Sequence, residues 1–90
     1  MSDMAIIKKK TWPEHFNLIL SGKKKFELRL ADFDVSEGDV LVLEEWNPKT
    51  NEYTGRTIEK TVSYILKFRL DKYGQEKEIQ EKGLLVIQLE

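Results

Sequence analysis

Cysteine is absent from these 90 residues, and histidine occurs once, at position 15. Without a thiol the chain has neither a disulfide framework nor a thiolate ligand. One histidine and no cysteine exclude an ordinary zinc or iron–sulfur site. A Ser-His-Asp arrangement would need His15, which we expect to be a packing or surface residue of a helix. The sequence therefore predicts no metal and no other cofactor.

Long apolar runs are also missing. No run exceeds four residues, as in Val40 to Leu43 and Leu84 to Ile87, whereas roughly 20 are needed to cross a bilayer. The N-terminal residues lack the apolar stretch of a signal peptide, and no glycine-rich loop that could cradle phosphate is present. We expect a single cytoplasmic domain over residues 1–90, a monomer with no membrane partner.

Charge is plentiful but unevenly placed. The net charge is −1, which gives no whole-domain argument for nucleic acid. Residues 1–30 nevertheless hold seven basic and three acidic side chains, and the rest hold eight basic and thirteen acidic. If the fold brings the lysine runs 8–10 and 23–25 together, one face is basic on an acidic body. The alternative is that these lysines only solubilise the ends of a strand and a helix.

An early helix has clear start and stop signals. Ala5 to Lys10 is predicted as a strand, and Thr11 with Glu14 forms a capping box for the helix that follows. Gly22 supplies the left-handed residue that ends many helices. Helical spacing predicts one apolar face made of Trp12, Phe16, Ile19 and Leu20.

The period changes to two after Lys25. Phe26, Leu28 and Leu30 should face the core, so that Glu27 and Arg29 lie side by side on the opposite face. This pair is either part of a ligand site or an exposed ion pair worth less than about 1 kcal/mol.

Three more strands are predicted. One is 40–46, with Leu41, Leu43 and Glu45 on one face, and it is followed by a hairpin in which Asn51 takes a positive φ. The others are 56–66 and 83–90, while 71–82 resembles a variable loop or a marginal helix. If Glu45 faces inward, burial should raise its pKa. These elements predict an α+β fold, a small closed or half-closed barrel of about five mainly antiparallel strands with one helix packed against it.

The stretch 22–29 reads Gly22-x-Lys24-x-x-Glu27-x-Arg29. It resembles the G-x-K-x-x-E-x-R motif of ASCH domains, small barrels related to the PUA family of RNA-binding modules. The "EGD" turn, "EWNPKTNEYTGR" and the closing "LLVIQL" extend the resemblance over nearly all of residues 6–89, toward a small bacterial and phage subfamily. The resemblance implies a PUA-like barrel with a cleft lined by Lys24, Glu27 and Arg29, in which Gly22 shapes the turn.

The expected function is to bind RNA or a nucleotide in that cleft. Arg29 has the two-pronged geometry that grips a phosphate or a base edge, and Glu27 can accept a hydrogen bond from an exocyclic amine. Trp46 and Tyr53 flank the hairpin and could stack on bases, with Arg56 beside them. The alternative for Trp46 is that it caps the core.

Two other functions stay open. Some ASCH domains resembling this chain are amidohydrolases that deacylate cytidine nucleosides with a lysine and a threonine three residues later. Here that position is Glu27, so an enzyme would need Lys24, Glu27 and Glu45 in other roles. The third possibility is a protein-interaction module with no nucleic-acid ligand.

Overall fold

The computed structural model describes residues 4–68 and 83–90 and places five strands and one helix in them. The elements in chain order are β1 (Ile6–Thr11), α1 (Pro13–Leu20), β2 (Phe26–Leu30), β3 (Val40–Asn47), β4 (Glu52–Phe68) and β5 (Leu84–Leu89). The predicted α+β class, with its strand count and its helix, is confirmed. The prediction for 71–82 lies outside the described residues.

The strands form one mixed sheet in the order β1-β3-β4-β5-β2. Three of the four pairings are antiparallel, and β1 runs parallel to β3. Consecutive strands β1 and β2 therefore lie at opposite ends of the strand order. None of the helices in the described part of the chain is long and apolar enough to cross a membrane.

Strand β4 joins two halves of the sheet. Its first part pairs with β3 and its last part with β5. The register shifts between Glu44 and Trp46 and again between Val62 and Tyr64. Irregularities of this kind bend and twist a strand, so the two halves can curve around a shared core.

The core lies between α1 and the inward face of the sheet. Its buried members are Ile19, Leu41, Leu43, Val62, Leu85, Ile87 and Leu89. The predicted alternation of β3 is thus confirmed, because Leu41, Leu43 and Glu45 are all buried.

The predicted start and apolar face of the helix are partly wrong. Thr11 is the last residue of β1, and Trp12 occupies the N-cap position without a side-chain cap. Phe16 and Ile19 are buried as predicted, but Trp12 and Leu20 are 53% and 56% exposed. The capping box fails because the Thr11 hydroxyl accepts a hydrogen bond from Arg29, 3.2 Å away, and does not serve the helix.

Candidate functional site

The turn after α1 presents the first residue of the motif. Gly22 has φ +81°, as predicted, and its N–H donates to the Ile19 carbonyl at 3.1 Å. A Cβ at Gly22 would meet nothing within 4 Å, so this position favours glycine for its backbone and not for space. The chain then reverses, and the Lys24 N–H donates to the Leu18 carbonyl at 3.0 Å. Lys24 is thereby fixed against the end of the helix.

The Lys24 side chain leans back toward the helix. Its Nζ lies 3.2 Å from His15 Nδ1 and 5.3 Å from the centroid of the Phe26 ring. The Lys24 side chain donates in this contact and His15 Nδ1 accepts. Sequence reasoning left His15 out of the site, since nothing in the chain order links positions 15 and 24.

Strand β2 faces the opposite way from the prediction. Glu27 is 3% exposed, whereas Phe26 and Leu28 are 47% and 55% exposed. The alternation was correct, but the apolar set points outward. Glu27 can face the interior because its carboxylate is paired: Arg29 Nε donates to Glu27 Oε2 at 2.8 Å. A buried carboxylate without such a partner would be costly.

Arg29 also links β2 to β1. Its Nη2 donates to the Lys10 carbonyl at 2.8 Å and to Thr11 Oγ1 at 3.2 Å. Since β1 and β2 are the two ends of the strand order, this guanidinium bridges the edges of the sheet.

A cleft of about 430 Å³ opens at this junction. One wall comes from β1 and α1 and the other from the motif turn and β2. The lining residues are Lys10, Thr11, Trp12, His15, Lys24, Phe26, Glu27, Leu28 and Arg29. The cleft therefore contains Lys24, Glu27 and Arg29 together, as expected, and also one lysine from the other lysine run.

The electrostatics of the cleft are cationic. Lys10, Lys24 and Arg29 contribute three positive charges against the single carboxylate of Glu27. Lys10 Nζ lies 3.9 Å from the centroid of the Trp46 ring, a cation–π contact. One residue of each lysine run thus lines the cleft, although the chain as a whole is slightly acidic.

The aromatic residues that line the cleft are Trp12 and Phe26 and not the predicted pair. Trp46 and Tyr53 pack edge to face with centroids 4.9 Å apart, and neither lines the cleft. Lys10 provides only an indirect connection between this aromatic pair and the cleft. Trp12 was assigned to the core by helical spacing, but its place at the N-cap turns it out of the helix face and leaves it half exposed in the cleft.

Arg56 and Glu45 form a separate polar cluster. Arg56 donates to both carboxylate oxygens of Glu45, at 2.9 and 2.7 Å, and to Asn17 Oδ1 at 2.9 Å. Thr54 Oγ1 donates to Glu45 Oε1 at 2.6 Å. Arg56 also covers the Phe16 ring at 4.8 Å. The cluster fastens α1 to β3 and β4, and Arg56 does not line the cleft.

The expected raised pKa of Glu45 is wrong. The hydrogen bonds from Arg56 and then from Thr54 hold the pKa of this buried carboxyl below its ordinary value, and they outweigh burial. The same pair raises the pKa of Arg56. Glu45 is therefore an ionised structural group and a poor candidate for a general acid.

No group of three or more metal-ligating side chains occurs in the ranges 4–68 and 83–90. The chemistry of the cleft thus depends on its cations, one carboxylate, one hydroxyl, one imidazole and one indole.

Residues 6–79 match the model of a protein family described as "Domain of unknown function (DUF3850)". A 52-residue stretch is 37% identical to the "Uncharacterized 12.9 kDa protein in GpA 3'region" of Escherichia phage P2. That stretch covers 58% of this chain and 46% of the phage protein, so the match spans about half of the relative. Neither description names a ligand or a reaction.

Proposed function

The chain belongs to the DUF3850 family, and we propose that it binds RNA or a nucleotide in the cleft between β1 and β2. The observation that carries this proposal is the meeting of Lys10 and Lys24 beside the exposed Trp12 ring. Cations that track a phosphate backbone next to an aromatic platform are the usual means of holding single-stranded nucleic acid.

The two lysines are the phosphate contacts. Both are long, flexible point charges at the cleft, and neither is committed to a carboxylate in the described residues. Arg29 is different, because its Nε and Nη2 are already engaged by Glu27, Lys10 and Thr11. In this proposal Arg29 positions Glu27.

The base would lie against Trp12 and Glu27. Stacking on an aromatic side chain contributes roughly 1 to 3 kcal/mol per base. Glu27 Oε2 accepts from Arg29, and the residues in 4–68 and 83–90 supply no hydrogen bond to Oε1. That oxygen is free to accept from an exocyclic amine, the group that adenine and cytosine present.

We also propose that the sheet is the half-closed, PUA-like barrel of an ASCH domain. Two features support this: the irregularities that bend β4, and the Arg29 side chain that spans from β2 to β1.

The test is an NMR titration of isotope-labelled protein with mixed-sequence RNA oligomers, cytidine nucleotides and N-acetylcytidine. We expect shifts at Lys10, Trp12, Lys24 and Glu27, and Trp12→Ala should weaken binding by about 5- to 150-fold, the value of one stacked base. Tyr53→Ala is the matched control, since Tyr53 is similarly exposed but lies outside the cleft. Shifts confined to the hairpin, or none with any ligand, would refute the proposed site and favour a protein-interaction role.

Hydrolysis of an N-acylated cytidine is the second candidate. It is favoured by the meeting of the Glu27 carboxylate, the Thr11 hydroxyl and the Arg29 guanidinium in one cleft. Glu27 could act as a general base on water, with a neighbouring cation stabilising the oxyanion. Loss of the acyl signal in the same titration, abolished by Glu27→Gln, would establish it; a stable acyl signal would exclude N-acetylcytidine as a substrate.

A further inference from the structure

The β4–β5–β2 half of the sheet has an uncharged outer face. The strand register places Phe26, Gln88 and Tyr64 in one row and Leu28, Val86 and Leu66 in the next. These six residues, called the outer face below, lie opposite the side that buries Glu27, Leu85 and Ile87. Charged residues make up 34% of the chain, yet these two rows contain none. An exposed patch of this kind indicates a surface that is covered by a partner.

The outer face is well exposed. Phe26, Leu28, Tyr64 and Leu66 keep 47%, 55%, 52% and 48% of their surface in contact with solvent. At roughly 200 Å² for a large side chain, these four alone offer on the order of 400 Å². Two such faces pressed together would bury about 800 Å² from these side chains, and the surrounding atoms extend this toward the roughly 1,000 Å² that a specific interface requires.

We propose that this outer face is the interface of a homodimer. A second copy is the occupant that the area and the charge favour, because a two-fold interface brings a patch against itself. The six side chains of the outer face carry no charge, so they can meet their counterparts in a second copy without becoming buried, unpaired ions. The sequence alone predicts a monomer and, separately, assigns Phe26 and Leu28 to the core.

The interface borders the cleft. Phe26 and Leu28 belong to the outer face and also line the cleft. A second copy would therefore stand beside the open side of the cleft, although association itself needs no ligand and is independent of the proposed function.

Sedimentation equilibrium of the ligand-free protein, from micromolar to near-millimolar concentration, tests the proposal. We expect a monomer–dimer equilibrium. Leu28→Lys combined with Leu66→Lys should raise the dimer dissociation constant about 100-fold or more, because each dimer would bury four added charges. The matched control is Leu18→Lys with Leu20→Lys, two exposed leucines of α1 that are 40% and 56% exposed, and it should dimerise as the unmodified chain does.

A second readout does not depend on the variants. Dilution of the unmodified protein should shift NMR signals of β2, β4 and β5 and leave those of β1 in place. A monomer at every concentration would overturn the proposal, whether the face then binds another protein, a lipid surface or nothing. The proposal would also be overturned if the α1 control substitutions disrupted the dimer and the outer-face substitutions left it intact.

Discussion

Glu27 and Arg29 show at the level of single residues why the cleft exists. A carboxylate that is 3% exposed is tolerable only with a partner, and Arg29 provides one at 2.8 Å while it also donates to β1. The pair brings a charged group into the wall of the cleft without leaving it uncompensated.

Removal of one partner should be more costly than removal of both. Arg29→Leu leaves the buried Glu27 carboxylate unpaired, which should lower the free energy of unfolding by about 3 kcal/mol. Glu27→Leu combined with Arg29→Leu should recover most of that loss, since no charge is then left buried. Urea unfolding of the two variants is the measurement. If the single and the double variant lost the same unfolding free energy, the cost would not come from leaving the Glu27 carboxylate unpaired.

The elements are held together by a second ion pair. Glu45 on β3, Arg56 on β4 and Asn17 on α1 meet through hydrogen bonds of 2.7 to 2.9 Å. The helix is only eight residues long and has no side-chain cap, so its position depends on such contacts and on Phe16 and Ile19.

This cluster predicts a pH dependence. The pKa of Glu45 is lower in the folded chain than its ordinary value of 4.5, so the folded state binds this proton less readily than the unfolded state. The resulting stability is fully present above pH 4.5 and is lost as the pH falls through the lower, folded pKa. The free energy of unfolding, measured by urea at a series of acidic pH values, should therefore fall less steeply with acid in Glu45→Gln than in the unmodified protein. If it fell equally steeply in both, Glu45 would not be the source of this pH dependence.

The elements themselves were largely predictable, whereas their orientations were not. Gly22 and Asn51 both take the positive φ that their residue types favour, and a strand lies at each of the five predicted places. The facing of β2 could not be predicted, because hydrophobicity alone puts Phe26 and Leu28 inside. Only the Arg29–Glu27 contact and the link to Thr11, 18 residues away along the chain, explain the observed choice.

At the scale of the molecule, the cleft follows from topology. The strand order puts β1 and β2 at opposite ends of the sheet, and curvature brings those ends within reach of one Arg29 side chain. Lysine runs at 8–10 and 23–25 thereby meet at Lys10 and Lys24 in a cleft. Local pattern could suggest this meeting but could not establish it, since it depends on the parallel pairing of β1 with β3.

The most direct measurement is the salt dependence of binding to a single-stranded RNA oligomer, followed by fluorescence anisotropy. If Lys10 and Lys24 each neutralise a phosphate, Lys10→Ala with Lys24→Ala should reduce the slope of log affinity against log salt by about 1.4. Lys67→Ala, an exposed lysine outside the cleft, should leave the slope unchanged. An affinity insensitive to salt, or a slope that the double variant leaves intact, would contradict a phosphate site in this cleft.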